Sequence, residues 1–448
     1  MRLQYLIQNS QSYSIMESHN TNTVRYVHLR RSSRFVTTVR IPIGVRNIPP
    51  YFYSNFDDLE YIRIPHTVQN IGDYAFRGCD SLESIVIPEG VTTIGVGCFS
   101  ACANLKIVYL PNSAREIKQQ AFRRCESLLI VKLPLQLQSI ADFCFVSCHM
   151  LEHVFIPPTV ISIGQGAFTH CTKLKEINFP NNIIKLSKGS FTGCNSLKRV
   201  TFPDLLTNTD LGVQSLGENA FMCCNSLVEI NLSCYPVHTL EESCFEHCEN
   251  LETVILSKET RRLMEMCFEM CFSLKNIGYK STLNCTENTD TGFGLDLEHI
   301  ELISDDAFSK CTSLKSVRLH DNNIVEVDSF DLCENLSKIS LPPDLPIETS
   351  SDDEKRYDFF PSNNITELIL PTEAQNFSSS IIFYVMYKVI ERNLNLLQEK
   401  FTPEELYPHE VVNNWLVYAS QERVIPDDAW ITNVLYFYIR NSPHLFKI

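Results

Sequence analysis

The chain has 448 residues, of which 44% are hydrophobic and 20% charged, with a net charge of −15 at pH 7. This acidic balance argues against a broad phosphate-binding surface, and so against nonspecific nucleic-acid binding. The most apolar run, Ile381 to Ile390, is about half a membrane span and is interrupted or bounded by Lys388, Glu391 and Arg392, so no transmembrane segment is expected.

The first 38 residues are polar, and Val24, Tyr26, Val27 and Leu29 suggest a strand that covers one end of the fold. The opening Met-Arg-Leu-Gln-Tyr-Leu-Ile-Gln-Asn-Ser has no sustained apolar core of a secretory signal. A cytoplasmic protein is therefore expected, with the cell surface, reached by another route, as the alternative. A ladder begins at Val39, Ile41 and Pro42, which lie 23 residues before Ile62, Ile64 and Pro65. Phe-x-x-Cys then recurs every 23 residues, at Phe76/Cys79, Phe99/Cys102, Phe122/Cys125, Phe145/Cys148, Phe168/Cys171 and Phe191/Cys194. In the preceding unit Tyr53 and Phe56 fill these two slots. A leucine stands three residues after each cysteine, from Leu82 to Leu197. A fixed period of this size means stacked repeats. Stacking adds coils without adding separate cores, so the length is not a count of domains.

Within one unit, Ile85-x-Ile87 has period two and reads as a short strand with both aliphatics on one face. Pro88 and its equivalents end that strand, because proline cannot donate to a ladder. Ile71 to Leu82 spaces apolar residues by three and four, which suits one or two helical turns. After Cys194 the period loosens around insertions near 204–216, 279–297 and 343–361, the last holding the acidic stretch Ser350 to Asp358. Cys224, Cys248, Cys271, Cys311 and Cys333 continue the series, and Ile365 to Pro371 supplies a last strand, for about 14 strands in all. From 374 to 448 the apolar spacing becomes helical, at Ile382, Val385, Met386, Val389, Leu394 and Leu397. Thr402-Pro403-Glu404-Glu405 is a helix start, and Pro426-Asp427-Asp428 a second one. This segment is expected to be a helical cap, since the end of a solenoid exposes core.

The expected architecture is an α/β repeat: a solenoid with one parallel sheet, residues 39–371, between an N-terminal segment 1–38 and the cap 374–448. The Ala/Cys-Phe-x-x-Cys-x-x-Leu unit resembles the BspA-type leucine-rich repeat, over about residues 39 to 371. The resemblance implies a curved leucine-rich-repeat solenoid used for protein or surface binding.

Eighteen cysteines might suggest a disulfide framework, but eleven share one repeat slot. Cys98, Cys144, Cys244 and Cys267 share a second slot, held elsewhere by alanine or serine. Buried thiols in register behave as small hydrophobes and need no oxidising compartment. Cys244-x-x-His247-Cys248, with Cys223-Cys224 one coil earlier, offers zinc-ligand types. Cys244 and Cys248 nevertheless fall on inward core slots, whose equivalents Cys98/Cys102 and Cys144/Cys148 lack the histidine. His170-Cys171 and Cys148-His149 are adjacent in sequence, which puts their side chains on opposite sides of the chain. His409-Glu410-Val411-Val412-Asn413 lacks the second histidine of a zinc-binding helix. No phosphate-binding glycine loop is present. No metal, cofactor or catalytic residue is assigned. Five sequons, at Asn231, Asn284, Asn335, Asn364 and Asn376, matter only for an exported chain.

The informative surface is the outward side of the strands, where alternate residues point away from the core. One column reads Arg63, Val86, Tyr109, Lys132, Phe155, Asn178, Thr201, and its neighbour reads Tyr61, Ser84, Ile107, Ile130, His153, Glu176, Arg199. Tyr61, Val86, Ile107, Tyr109, Ile130, Lys132, His153 and Phe155 are the expected partner-binding residues. An apolar patch rimmed by polar residues marks an interaction site, and aromatics are favoured there. The structural alternative is that terminal segments fold over the patch, or that such residues simply suit strands. A non-enzymatic protein-binding scaffold is the expected function, with a surface adhesin as the alternative.

Overall fold

The computed structural model describes residues 36–203, 214–279, 293–326, 328–340 and 342, together with short strands at Glu17–Ser18, Val24–Arg25, Glu367–Ile369 and Phe446–Lys447. These residues make a parallel-sheet leucine-rich-repeat solenoid of about twelve turns, divided into two compact units, Met1–Leu251 and Glu252–Ile448. The expected count of about 14 strands draws on segments outside the described residues.

Every coil takes one path. A three-residue strand buries its middle residue and exposes those beside it, as in Ser84–Val86. Ser84–Val86 pairs in parallel with Ile107–Tyr109, and that strand with Ile130–Lys132, each residue facing its equivalent 23 positions away. Proline comes next, and its carbonyl accepts the N–H three residues on, as Pro65 does from Val68 at 3.1 Å. This turn feeds a second parallel ladder. In the first unit its strands are Asn47–Ile48, Asn70–Ile71, Thr93–Ile94 and Glu116–Ile117, then Ser139–Ile140, Ser162–Ile163 and Lys185–Leu186.

This second ladder corrects the single-sheet expectation, and the segment after it corrects the helical one. No helix occurs among the described residues. In the coil of Cys79, Tyr74 (φ 55°) and Gly78 (φ 67°) are left-handed, and the same two slots are left-handed in each of about twelve coils. A left-handed residue stops a right-handed helix from propagating. Backbone donors then alternate. Ala75, Arg77 and Cys79 donate to carbonyls three residues back, whereas Tyr74, Phe76 and Gly78 donate to Val96, Cys98 and Ser100 of the next coil. Half the turn's N–H groups thus tie coil to coil, which a helix would not allow.

This path builds the core columns. In the first unit Tyr53, Phe76, Phe99, Phe122, Phe145, Phe168, Phe191, Phe221 and Phe245 stack successively, with ring centroids 5.2–5.6 Å apart and planes within 9°. Each cysteine of the main slot donates its thiol to the carbonyl of the aromatic residue one coil back. Cys102 reaches Phe76 at 3.0 Å, and Cys171 reaches Phe145 at 3.2 Å. The slot needs a small apolar side chain with one weak donor, which describes cysteine. The seventeen cysteines among the described residues are free.

In the second unit Thr253–Leu256, Asn276–Tyr279, Leu295–Asp296, Ser316–Arg318, Lys338–Ser340 and Glu367–Ile369 pair in that order, all parallel. Arg262–Leu263, Leu302–Ile303 and Ile324–Val325 form its second ladder. Phe268, Phe308 and Phe330 stack as in the first unit. Phe446–Lys447 adds a further parallel strand beside Glu367–Ile369, where a helical cap was expected, and the rest of 374–448 lies outside the described residues. At the other end Val24–Arg25 pairs antiparallel with Glu17–Ser18. The insertion cores at 204–213, 280–292 and 343–361 also lie outside the described residues.

Candidate functional site

The three-residue strands of the first unit present the expected face. Inward residues Ile85, Val108 and Val131 are buried, which forces their neighbours outward by the period of two. Val86 is 62% exposed, Tyr109 55%, Ile130 57% and Phe155 63%. Register places Val86, Tyr109 and Lys132 in one row across three hydrogen-bonded strands, and Ser84, Ile107 and Ile130 in the next. Lys132 is exposed and Ile107 half-buried between Ser84 and Ile130.

The margins differ. Tyr61 is exposed on Tyr61–Arg63, which pairs with Thr38–Arg40 and not with Ser84–Val86. His153 makes only a single bridge, to Glu176, so Phe155 projects from a coil without a regular strand. His153 Nδ1 is 3.7 Å from Glu176 Oε1, and Arg199 lies 3.6 Å from the other oxygen of that carboxylate. The patch therefore meets a charged cluster at its far end.

Sequence reasoning missed Leu129, which is 39% exposed beside Ile130. Its slot, one residue before each strand, holds Glu83, Lys106, Glu152 and Lys175 in the flanking coils. Glu83 pairs with Lys106 at 2.9 Å, and Glu152 with Lys175 at 2.5 Å. Leu129 interrupts this ion-pair row and carries the apolar surface to the sheet margin. A leucine in a column of charges was the available signal.

The other sequence candidates separate. Cys244 and Cys248 lie fully in the core, and the Cys248 thiol donates to the Phe221 carbonyl. His247 sits on the turn surface, 3.8 Å from Glu246. The Cys171 thiol donates to Phe145, while the His170 ring lies where a side chain on Gly193 would be. Burial raises these core thiols, Cys194 up to about 12, which removes the thiolate needed for nucleophilic or metal chemistry. Among the described residues no three His, Cys, Asp or Glu side chains converge as a metal-binding group. No helix among them is long and apolar enough to cross a membrane. His409 to Asn413 and the sequons at Asn284, Asn364 and Asn376 lie outside the described residues.

A stacked parallel ladder with a Phe–Cys–Leu core and an open sheet face defines a repeat scaffold of the leucine-rich class. The chain belongs to the BspA-type leucine-rich-repeat family, whose repeat region matches residues 31–137, 99–211, 207–290 and 295–395. It is similar to a leucine-rich repeat protein from Bacteroides ovatus, with 24% identity, 83% of this chain and 98% of that one covered, and a TM-score of 0.63. A leucine-rich cell surface protein from Faecalibacterium prausnitzii matches at 25% identity, covering 69% of this chain and 82% of its own, with a TM-score of 0.47. No curated protein matches the chain.

Proposed function

We propose that this protein is a non-enzymatic scaffold that binds a protein partner through the outward sheet face of its first unit. The observation that carries this reading is the in-register apolar surface of Val86, Ile107, Tyr109 and Ile130, extended by Phe155 and Leu129. Exposed apolar area of this kind, with aromatic residues and a charged margin, is the composition of a binding surface. The double variant Tyr109→Ser/Phe155→Ser tests it. Both side chains are exposed, so circular dichroism and melting temperature stay unchanged, while capture of the partner from the native source is lost. Undiminished capture removes the site.

The free core thiols suit a reducing compartment, so we place the scaffold in the cytoplasm. The adhesin reading is favoured by one observation: the sequons at Asn231 and Asn335 are both exposed. Fractionation of the native source, with a glycosidase mobility shift, separates the two. A soluble unglycosylated fraction supports the adaptor, and glycan at Asn231 or Asn335 supports the exported adhesin.

A further inference from the structure

The charge on the binding face differs in sign from the charge on the chain. The protein carries −15 overall, yet the two outward columns hold Arg40, Arg63 and Lys132, and no carboxylate before Glu176. All three cations are exposed and none forms an ion pair among the described residues. Glu176 is already answered by His153 and Arg199. Along the entry margin, Glu83 and Glu152 are held by Lys106 and Lys175, which leaves Glu60 as that margin's unpaired carboxylate among the described residues.

The cations bracket the apolar surface. Arg63, Val86, Tyr109 and Lys132 occupy one position in four successive coils. At the usual strand spacing Arg63 and Lys132 stand about 14 Å apart, and an extended peptide covers that distance in about four residues. We propose that the partner presents an extended polypeptide segment with two carboxylates about four residues apart and an apolar or aromatic side chain between them. The carboxylates meet Arg63 and Lys132, with Arg40 behind Arg63, and the anchor rests on Val86 and Tyr109. Charge of this kind steers encounter and selects the partner, while buried apolar contact supplies affinity. A nucleic-acid strand fits less well. Its charges repeat about every 3.4 Å, whereas the two central coils of this row are uncharged.

The inference rests on the binding face proposed above. The probe is a fluorescein-labelled nonapeptide with Glu at positions 3 and 7 and Phe at position 5, titrated by anisotropy against the full chain. It is compared with a version carrying Lys for Glu, a version carrying Ser for Phe, and oligo-uridine. The Glu–Phe peptide binds at least about tenfold tighter than either peptide control, and weakens as salt rises. Arg63→Glu/Lys132→Glu abolishes that preference, and the milder Arg63→Gln/Lys132→Gln reduces it, which guards against a folding defect in the reversal. Equal binding of the Glu and Lys peptides, tighter binding of oligo-uridine, or no peptide binding up to about 1 mM overturns the proposal. The two readings fail separately. Native-partner capture that survives Arg63→Glu/Lys132→Glu but not Tyr109→Ser/Phe155→Ser keeps the face and rejects the acidic partner. Capture that survives both rejects the face itself.

Discussion

Tyr74 and Gly97 occupy the same left-handed slot in successive coils, and their sizes are complementary. A Cβ on Gly97 would lie 2.3 Å from the Tyr74 ring, and the Phe143 ring stands over Gly166 in the same way. The left-handed conformation costs a non-glycine residue about 1–2 kcal/mol, and this chain accepts it at nineteen of them because the coil-to-coil bonds require it. Gly97→Ala meets both the φ penalty and the ring, so it should destabilise by about 1–3 kcal/mol in urea unfolding. Ala101→Gly, at φ 61°, should be neutral or stabilising by up to about 1 kcal/mol. A neutral Gly97→Ala would mean that the Tyr74 ring moves aside at little cost. Thiol chemistry divides in the same residue-by-residue way. Cys234 is exposed and Cys223 half-buried, its thiol raised by burial and then by Glu246 and Glu249. Alkylation of the native protein should modify Cys234 first and Cys223 more slowly. The core cysteines should react only as the protein unfolds, and rapid labelling of Cys171 would contradict the packed core.

The turn ladder also gathers charge in the second unit. Burial, and then Glu326, Asp328, Asp306 and Glu265, push the Asp305 carboxyl up to about 6, while its backbone N–H donates to Glu326 at 3.0 Å. The folded chain therefore holds this proton more tightly than the unfolded chain does. Stability from this group is complete below the ordinary aspartate range and is lost as pH rises towards about 6. Asp305 is solvent-exposed, so screening keeps the effect below about 1 kcal/mol. Asp305→Asn should flatten the fall in melting temperature between about pH 4 and 6 and raise it at neutral pH. An unchanged pH profile would show that solvent relieves the repulsion. At this scale the strands were legible, since Ile85-x-Ile87-Pro88 fixes both strand and stop. The turn was not. Apolar residues spaced by three and four fit a helix equally well, and nothing in the residues of that slot (Tyr74, Gly97, Gln120, Phe143) announces a left-handed backbone.

Across the whole molecule each coil bonds chiefly to its neighbours, so the array should tolerate loss of a complete period but not of a partial one. Deleting Thr172 to Cys194 removes 23 residues and rejoins Cys171 to Asn195, one repeat on. The product should fold, with the Val86–Tyr109 face intact and a modestly lower melting temperature. Deleting one residue fewer shifts every later side chain to the opposite face of its strand and should leave an insoluble or molten product. Equal stability of the two deletions would refute the nearest-neighbour account.

The binding face was legible in outline, because alternation along a strand assigns Val86, Tyr109 and Phe155 outward once the repeat is aligned. Its margins were not. The single bridge at His153, the separation of Tyr61–Arg63 from Ser84–Val86, and the break at Leu129 in the ion-pair row depend on how neighbouring coils sit on one another. The 23-residue period by itself determined the solenoid, its core columns and the register of its strands, since a repeated apolar pattern has one way to bury itself. Only the tertiary structure decided where the turn's N–H groups go, that cysteine serves as a donor to the phenylalanine carbonyl, and which cations remain free beside the apolar face. Each of these is settled by an atom of a different coil, at a distance along the chain that local sequence does not encode.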